Sequence, residues 1–227
     1  MFALHFDMRA AQSGAAPDEL YAAAVDMCAW AEKHGCATVV VGEQHALPDG
    51  YLPPLTFAAA IAARTERLEI LVAAALPPLR EPVGLPEEMN ILELLSKGRV
   101  TYILEHEEGN RDSSVMFVAD DVEQAWDEIG MNLLRDARRD RHAMTIEELR
   151  AKSTRYRIVS VAEAASRVAR GDVLRLSPLC GGIAPDVAWP YLTRAAKIAA
   201  AFSSEDLSTM DGPEPLPWGF CAGAMAP

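Results

Sequence analysis

Several absences narrow this chain before any motif is considered. Its four cysteines, Cys28, Cys36, Cys180 and Cys221, are too few and too scattered over 227 residues for a disulfide framework, and they do not fall at zinc spacings. Reduced thiols in a cytoplasmic protein are the expectation. Positive charge is in deficit: 21 Lys and Arg against 33 Asp and Glu leave a formal net charge of −12. So acidic a chain is not expected on nucleic acid or on an anionic membrane surface, because both are themselves negative. No apolar run reaches the roughly 18 residues that span a bilayer. Arg64, Glu66, Arg67 and Glu69 interrupt the longest candidate. The opening residues show no basic stretch followed by an apolar one, so no secretory signal is expected. No repeat of fixed period is visible. What is present is apolar bulk: half of the residues, enough to bury a core in one large domain or two small ones.

The first hundred residues alternate two periods. Short apolar runs at 2–6, 37–41, 68–73 and 100–104 read as buried strands, the first ending in Asp7. Between them lie helical patterns at 18–34, 55–65 and 82–95, the last with a kink or restart expected at Pro86. Gly35 stands where a helix ends. Farther on, residues 105–114 are polar and read as a loop, followed by a strand at 115–119 and a helix at 122–139 capped by Asp120 or Asp121. A short helix at 146–152, a strand at 156–159, a helix at 161–170 capped by Ser160, a strand at 173–176 and a helix at 186–202 complete the pattern. Residues 204–227 are rich in Gly, Pro, Ser and Ala and read as a mobile tail beyond a single domain over 1–203. Continuous apolar strands alternating with helices specify an α/β fold with a parallel sheet covered on both faces. Periodicity alone leaves an open doubly wound sheet and a (β/α) barrel both standing.

Three segments carry a resemblance. A strand runs into Gly42-Glu43-Gln44-His45; a helix closes with Leu95-Ser96-Lys97-Gly98-Arg99 ahead of the next strand; Ala62-Ala63-Arg64-Thr65-Glu66-Arg67-Leu68 lies between them. In this order the first 104 residues resemble the bacterial-luciferase-like monooxygenase family, and Pro178-Leu179-Cys180-Gly181-Gly182, with Trp189 beyond it, resembles the C-terminal part of actinobacterial-type members. The resemblance implies a TIM-type barrel, FMN or coenzyme F420 as cofactor, and a small organic substrate. It also exposes a departure. After Leu104 the chain passes through Glu105 to Ser114 straight into what looks like the C-terminal part, leaving about seven strands against the eight of a full barrel. The middle of the barrel is missing, with its junction near 105–114. A shortened member of this family is implied, either an active flavin-type oxidoreductase or a non-catalytic flavin-binding or interaction protein. Its exposed strand edges call for cover, for which a homodimer is the expected partner.

Candidate site residues follow from strand ends, where parallel barrels hold ligands. By resemblance His45 sits beside the cofactor ring or substrate, and imidazole can move a proton near neutral pH; taken alone it reads as a loop histidine. Glu43 either supports it or makes a rim salt bridge. Asp7 and Met8 end the first strand, and Ala73, Ala74 and Ala75 end the third, where small side chains leave room for a flat ring or simply pack closely. Gly181 and Gly182 follow the last strand and precede a helix, which suits a phosphate or merely a turn that needs positive φ. Arg99 belongs at the amino end of a strand and is read as structural, paired with a carboxylate such as Glu88. His106 among Glu105, Glu107 and Glu108 lacks the spread of a metal site, so no metal is expected. Cys180 reads as a buried small residue.

Overall fold

A computed structural model describes residues 1–6, 8, 14–42, 54–74, 84–104, 115–139 and 145–203. In chain order they form β1 (Phe2–Phe6), α1 (Pro17–Glu32), β2 (Cys36–Gly42), α2 (Pro54–Arg64), β3 (Glu69–Ala74), α3 (Gly84–Ser96) and β4 (Val100–Leu104). Then come β5 (Val115–Ala119), α4 (Val122–Arg139), α5 (Ile146–Lys152), β6 (Tyr156–Ser160), α6 (Val161–Ala169), β7 (Leu174–Leu176), a 3₁₀ turn (Cys180–Gly182) and α7 (Pro185–Ser203). Pro86 sits in the first turn of α3, where a proline is tolerated, so the helix neither kinks nor restarts there. The expected junction at 105–114 and tail at 204–227 lie outside the described residues.

The strands make one sheet in the order β4-β3-β2-β1-β7-β5-β6, and each paired neighbour is parallel. This is an α/β fold of the incomplete TIM type: seven parallel strands, with strand–helix units stepping outward from β1 to β4 as in a barrel. The far side departs from barrel order. β5 lies between β7 and β6, and α6 crosses β5 on its way from β6 to β7. Composition accounts for the exchange. All five residues of β5 are apolar and buried, which suits a strand paired on both sides, whereas β6 carries exposed Arg157 and half-buried Ser160, which suit an edge.

Alternation along β1 sorts the two faces. Phe2, Leu4 and Phe6 are buried on the helix side, where Phe6 meets Phe57 of α2 edge-on at 6.2 Å. Val39, Val41, Ile70 and Val72 share that face by register. Ala3 and His5, only half-buried, point the other way.

At the amino ends of β3 and β4 two side chains tie the units together. Glu32, at the end of α1, accepts the backbone N–H groups of Glu66, Arg67 and Leu68 at 2.6–2.9 Å. Arg99 donates from Nε to the Ser96 carbonyl, from one terminal nitrogen to Thr65 Oγ1 and the Leu68 carbonyl, and from the other to the carbonyls of Ala62 and Thr65. All five of its N–H groups are thereby used. Arg99 is structural as expected, but its partners are the open carbonyls at the end of α2 and beside it rather than Glu88. The caps behave as read: Asp121 Oδ1 accepts from the N–H groups of Glu123 and Gln124, and Ser160 Oγ from that of Glu163. Among the described residues no helix is long and apolar enough to cross a membrane.

Candidate functional site

Register builds the site from the non-helical face. His5 lies beside Val40, Val40 beside Leu71, and Gly42 beside Ala73. Residues two apart on a strand share a face, so His5, Val40, Gly42, Leu71 and Ala73 form one surface near the carboxyl ends of β1, β2 and β3. At Gly42 and Ala73 that surface carries no side chain larger than a methyl group. Ser177, just past β7, is 5% exposed, and its Oγ lies 3.4 Å from His5 Nδ1. Met8, the described residue just past β1, holds a left-handed φ of 43° and is buried.

Ala73 therefore lies where expected, and Ala74 ends β3 in register with Leu104. Asp7, Glu43, His45, Ala75 and His106 lie outside the described residues. Sequence reasoning does not single out His5 and Ser177, because residues 2–6 read as one apolar run. The signal was present: in Phe2-Ala3-Leu4-His5-Phe6 the large apolar residues take every second place, which leaves the histidine on the opposite face.

The second region is the turn after β7. Gly181 and Gly182 adopt φ of 62° and 74°. A Cβ on Gly181 would stand 2.1 Å from the Asn132 carbonyl oxygen, and one on Gly14 would stand 2.6 Å from the Gly182 carbonyl oxygen. The turn is thus pressed against α4 on one side and the entrance to α1 on the other. Its carbonyls are in use: Gly181 accepts from Asn132 Nδ2 and Gly182 from the Ala15 N–H, while the Gly182 N–H donates to Leu179. A cavity of about 280 Å³ opens beside it, lined by Gly14, Glu128, Asn132, Arg135, Gly182 and Val187. Of the charged residues in this lining, Arg135 and Glu128 both come from α4, some fifty residues upstream of the turn, where spacing gives no hint of them.

Two polar groupings flank this turn. Buried Asp136 accepts a 2.6 Å bond from the Tyr156 hydroxyl and a 3.4 Å contact from Cys180 Sγ, with an Arg155 terminal nitrogen at 4.0 Å. Burial and the adjacent carboxylate push the Tyr156 phenol well above its ordinary range, so it stays a donor. Cys180 is 4% exposed and packs as the small buried residue expected. At the carboxyl end of β5 a cavity of about 430 Å³ holds Asp120, Asp121, Glu128, Asp186, Tyr191 and Arg194. There Asp120 pairs with Arg194 at 2.5 Å and Glu128 accepts from the Tyr191 hydroxyl at 2.5 Å. Among the described residues no three His, Cys, Asp or Glu side chains are grouped to hold a metal ion.

Comparison with known proteins meets this geometry at β1 to β4. Residues 1–104 match the luciferase-like monooxygenase family. No curated protein matches the chain. Among solved structures it is similar to the monooxygenase RslO1 from Streptomyces bottropensis, with 18% identity over 90% of this chain and 67% of that one, at a TM-score of 0.39. It is also similar to the oxygenating constituent of 3,6-diketocamphane monooxygenase from Pseudomonas putida, a type II Baeyer–Villiger enzyme in complex with FMN. Identity there is 14% over 88% of this chain and 63% of that one, at a TM-score of 0.41. The chain thus spans about two thirds of the length of these two structures.

Proposed function

We propose that this protein is a flavin-type oxidoreductase, a shortened luciferase-like monooxygenase that binds FMN or coenzyme F420 and acts on a small organic substrate. The observation that carries the reading is the family match over β1–β4, the strands that present Gly42 and Ala73 at their carboxyl ends. The residues there fit a planar ring, since nothing larger than a methyl group rises from two adjacent strands. Arg135 would give a phosphate beside Gly181 and Gly182 its cation, across a cavity that Glu128 also lines. In this reading Asp7 and Ala74 border the ring, Glu43 supports His45, and His45 holds or moves a proton at the reacting edge. A bound flavin supplies hydride transfer or oxygen activation; the chain binds it, orients it and keeps water away. The seven-stranded sheet, against the eight strands of a full barrel, favours one second reading, a flavin-binding protein of this family without catalysis.

A reducing, cytoplasmic setting belongs to the same reading and suits the buried thiols of Cys28, Cys36 and Cys180. So does a homodimer. Ile91, Leu94 and Leu95 of α3 are exposed together, with Glu87 at one end of that stripe and Lys97 at the other. An antiparallel α3 from a second copy sets Ile91 against Leu95 and Glu87 towards Lys97.

Titration with FMN and, separately, with F420 tests the function, read by fluorescence and thermal shift. A hundredfold excess over Kd should stabilise the fold by about 2.7 kcal/mol, and His45→Ala should weaken binding. No shift with either cofactor overturns the reading.

A further inference from the structure

The non-helical face of β1 carries a polar group that the reading above does not need. His5, Val40 and Leu71 fall in one row across β1, β2 and β3, with Ser177, just past β7, against His5 and with Gly42 and Ala73 one step nearer the carboxyl ends. By strand spacing and rise, the Cα atoms of His5 and Gly42 are about 8 Å apart, within the span of one planar ring system. Val40 and Leu71 are half-buried and apolar, and Gly42 and Ala73 are small and buried. The row is therefore a flat apolar floor with an imidazole and a hydroxyl at one side.

Sequence economy makes the pair notable. Every other residue of β1 is apolar; on the same face Thr38, Glu69 and Arg175 lie one step nearer the amino ends, and His5 is the ionisable residue of the next row, beside Gly42 and Ala73. Ser177 is nearly closed off, and its hydroxyl lies against Nδ1, so it fixes the orientation of the imidazole. A side chain oriented by a buried partner, beside a flat floor at strand carboxyl ends, has the form of a ligand-positioning group.

We propose that His5 contacts the polar edge of a planar heteroaromatic ligand lying over Val40, Gly42, Leu71 and Ala73, and that Ser177 is its positioning residue. This rests on the flavin reading and adds to it a residue that reads the ring edge, separate from the phosphate grip near Arg135. The ligand class is set by the floor and the imidazole together: a flat ring with carbonyl or ring-nitrogen groups on its rim.

Binding of FMN to the full chain tests it, with Kd from fluorescence and the visible absorption band of the bound ring as a second readout. His5→Phe keeps a planar side chain and removes both nitrogens. It should weaken FMN roughly 3- to 10-fold, the effect of one lost hydrogen bond, and should shift the visible band. His5→Asn, which keeps a polar edge, should restore most of the affinity, and Ser177→Ala should shift the band while costing less affinity. Thermal midpoints without FMN identify any variant that fails to fold, and the remaining two then decide. If the wild type binds FMN and the folded variants match it in Kd and spectrum, His5 has no part in binding and the proposal falls while the flavin reading stands. If the wild type binds neither FMN nor F420, both fall together.

Discussion

Arg99 shows how much one side chain can close. Its guanidinium satisfies carbonyls at 62, 65, 68 and 96 that the ends of α2 and α3 and the approach to β3 would otherwise leave open. Arg99→Ala should destabilise the protein by about 3 kcal/mol in urea unfolding, since buried acceptors lose a charged donor. Arg99→Lys should recover less than half of that, because one ammonium cannot reproduce a planar fork of five donors. Glu32 adds a pH dependence. Burial raises its pKa, but the N–H bonds from Arg67, Leu68 and Glu66 outweigh burial and leave it lowered. A carboxyl with a depressed pKa contributes stability above the ordinary glutamate value of 4.5, and that contribution is lost as pH falls through and below it. Glu32→Gln should flatten the acid limb of a stability-against-pH curve without changing its shape near pH 7. The glycines separate backbone strain from crowding. Gly171 has φ of 86° and open space around its missing Cβ, whereas at Gly181 the Cβ would strike the Asn132 carbonyl. Gly171→Ala should cost about 1–2 kcal/mol for the left-handed φ alone. Gly181→Ala should lower the thermal midpoint further, because α4 must move as well.

Among the elements, those with a strong period were legible. β1 to β6 and all seven helices lie within a few residues of where hydrophobic spacing puts them. β7 contracts to Leu174–Leu176, and β2 extends to Cys36 and Gly42. Lateral order was not legible. Spacing along a chain says which segments are strands, but which strand lies beside which depends on the polarity of whole faces, and only the contrast between β5 and β6 hints at it. The site divides in the same way. Ala73 and the two late glycines could be named because strand and helix ends are marked in the sequence. Asn132 and Arg135 could not, since they reach the turn from a helix with no local signature. The exposed stripe of α3 leads to a measurement: Leu94→Lys with Leu95→Lys should reduce the solution mass seen by sedimentation to that of one 24.6 kDa chain, while a wild type already at that mass overturns the dimer.

At the scale of the molecule, the two sides of the sheet are joined unevenly. β1, β2, β3 and β4 are joined by five register pairs at each boundary. β7 meets β1 through three pairs and β5 through one, Met116 with Leu176. Across that narrow join the helices do most of the fastening: Trp30 of α1 meets Trp189 of α7 edge-on at 5.6 Å, and Phe117 of β5 meets Tyr191 of α7 at 5.6 Å. The protein is thus zipped along one side and riveted along the other. In deuterium exchange the amides of β2 and β3 should be the last to give way, and those of β7 should exchange with the opening of α7 rather than with global unfolding. A chain pulled apart at its ends would part first along β7, leaving a four-stranded remnant that still holds Gly42, Ala73 and His5.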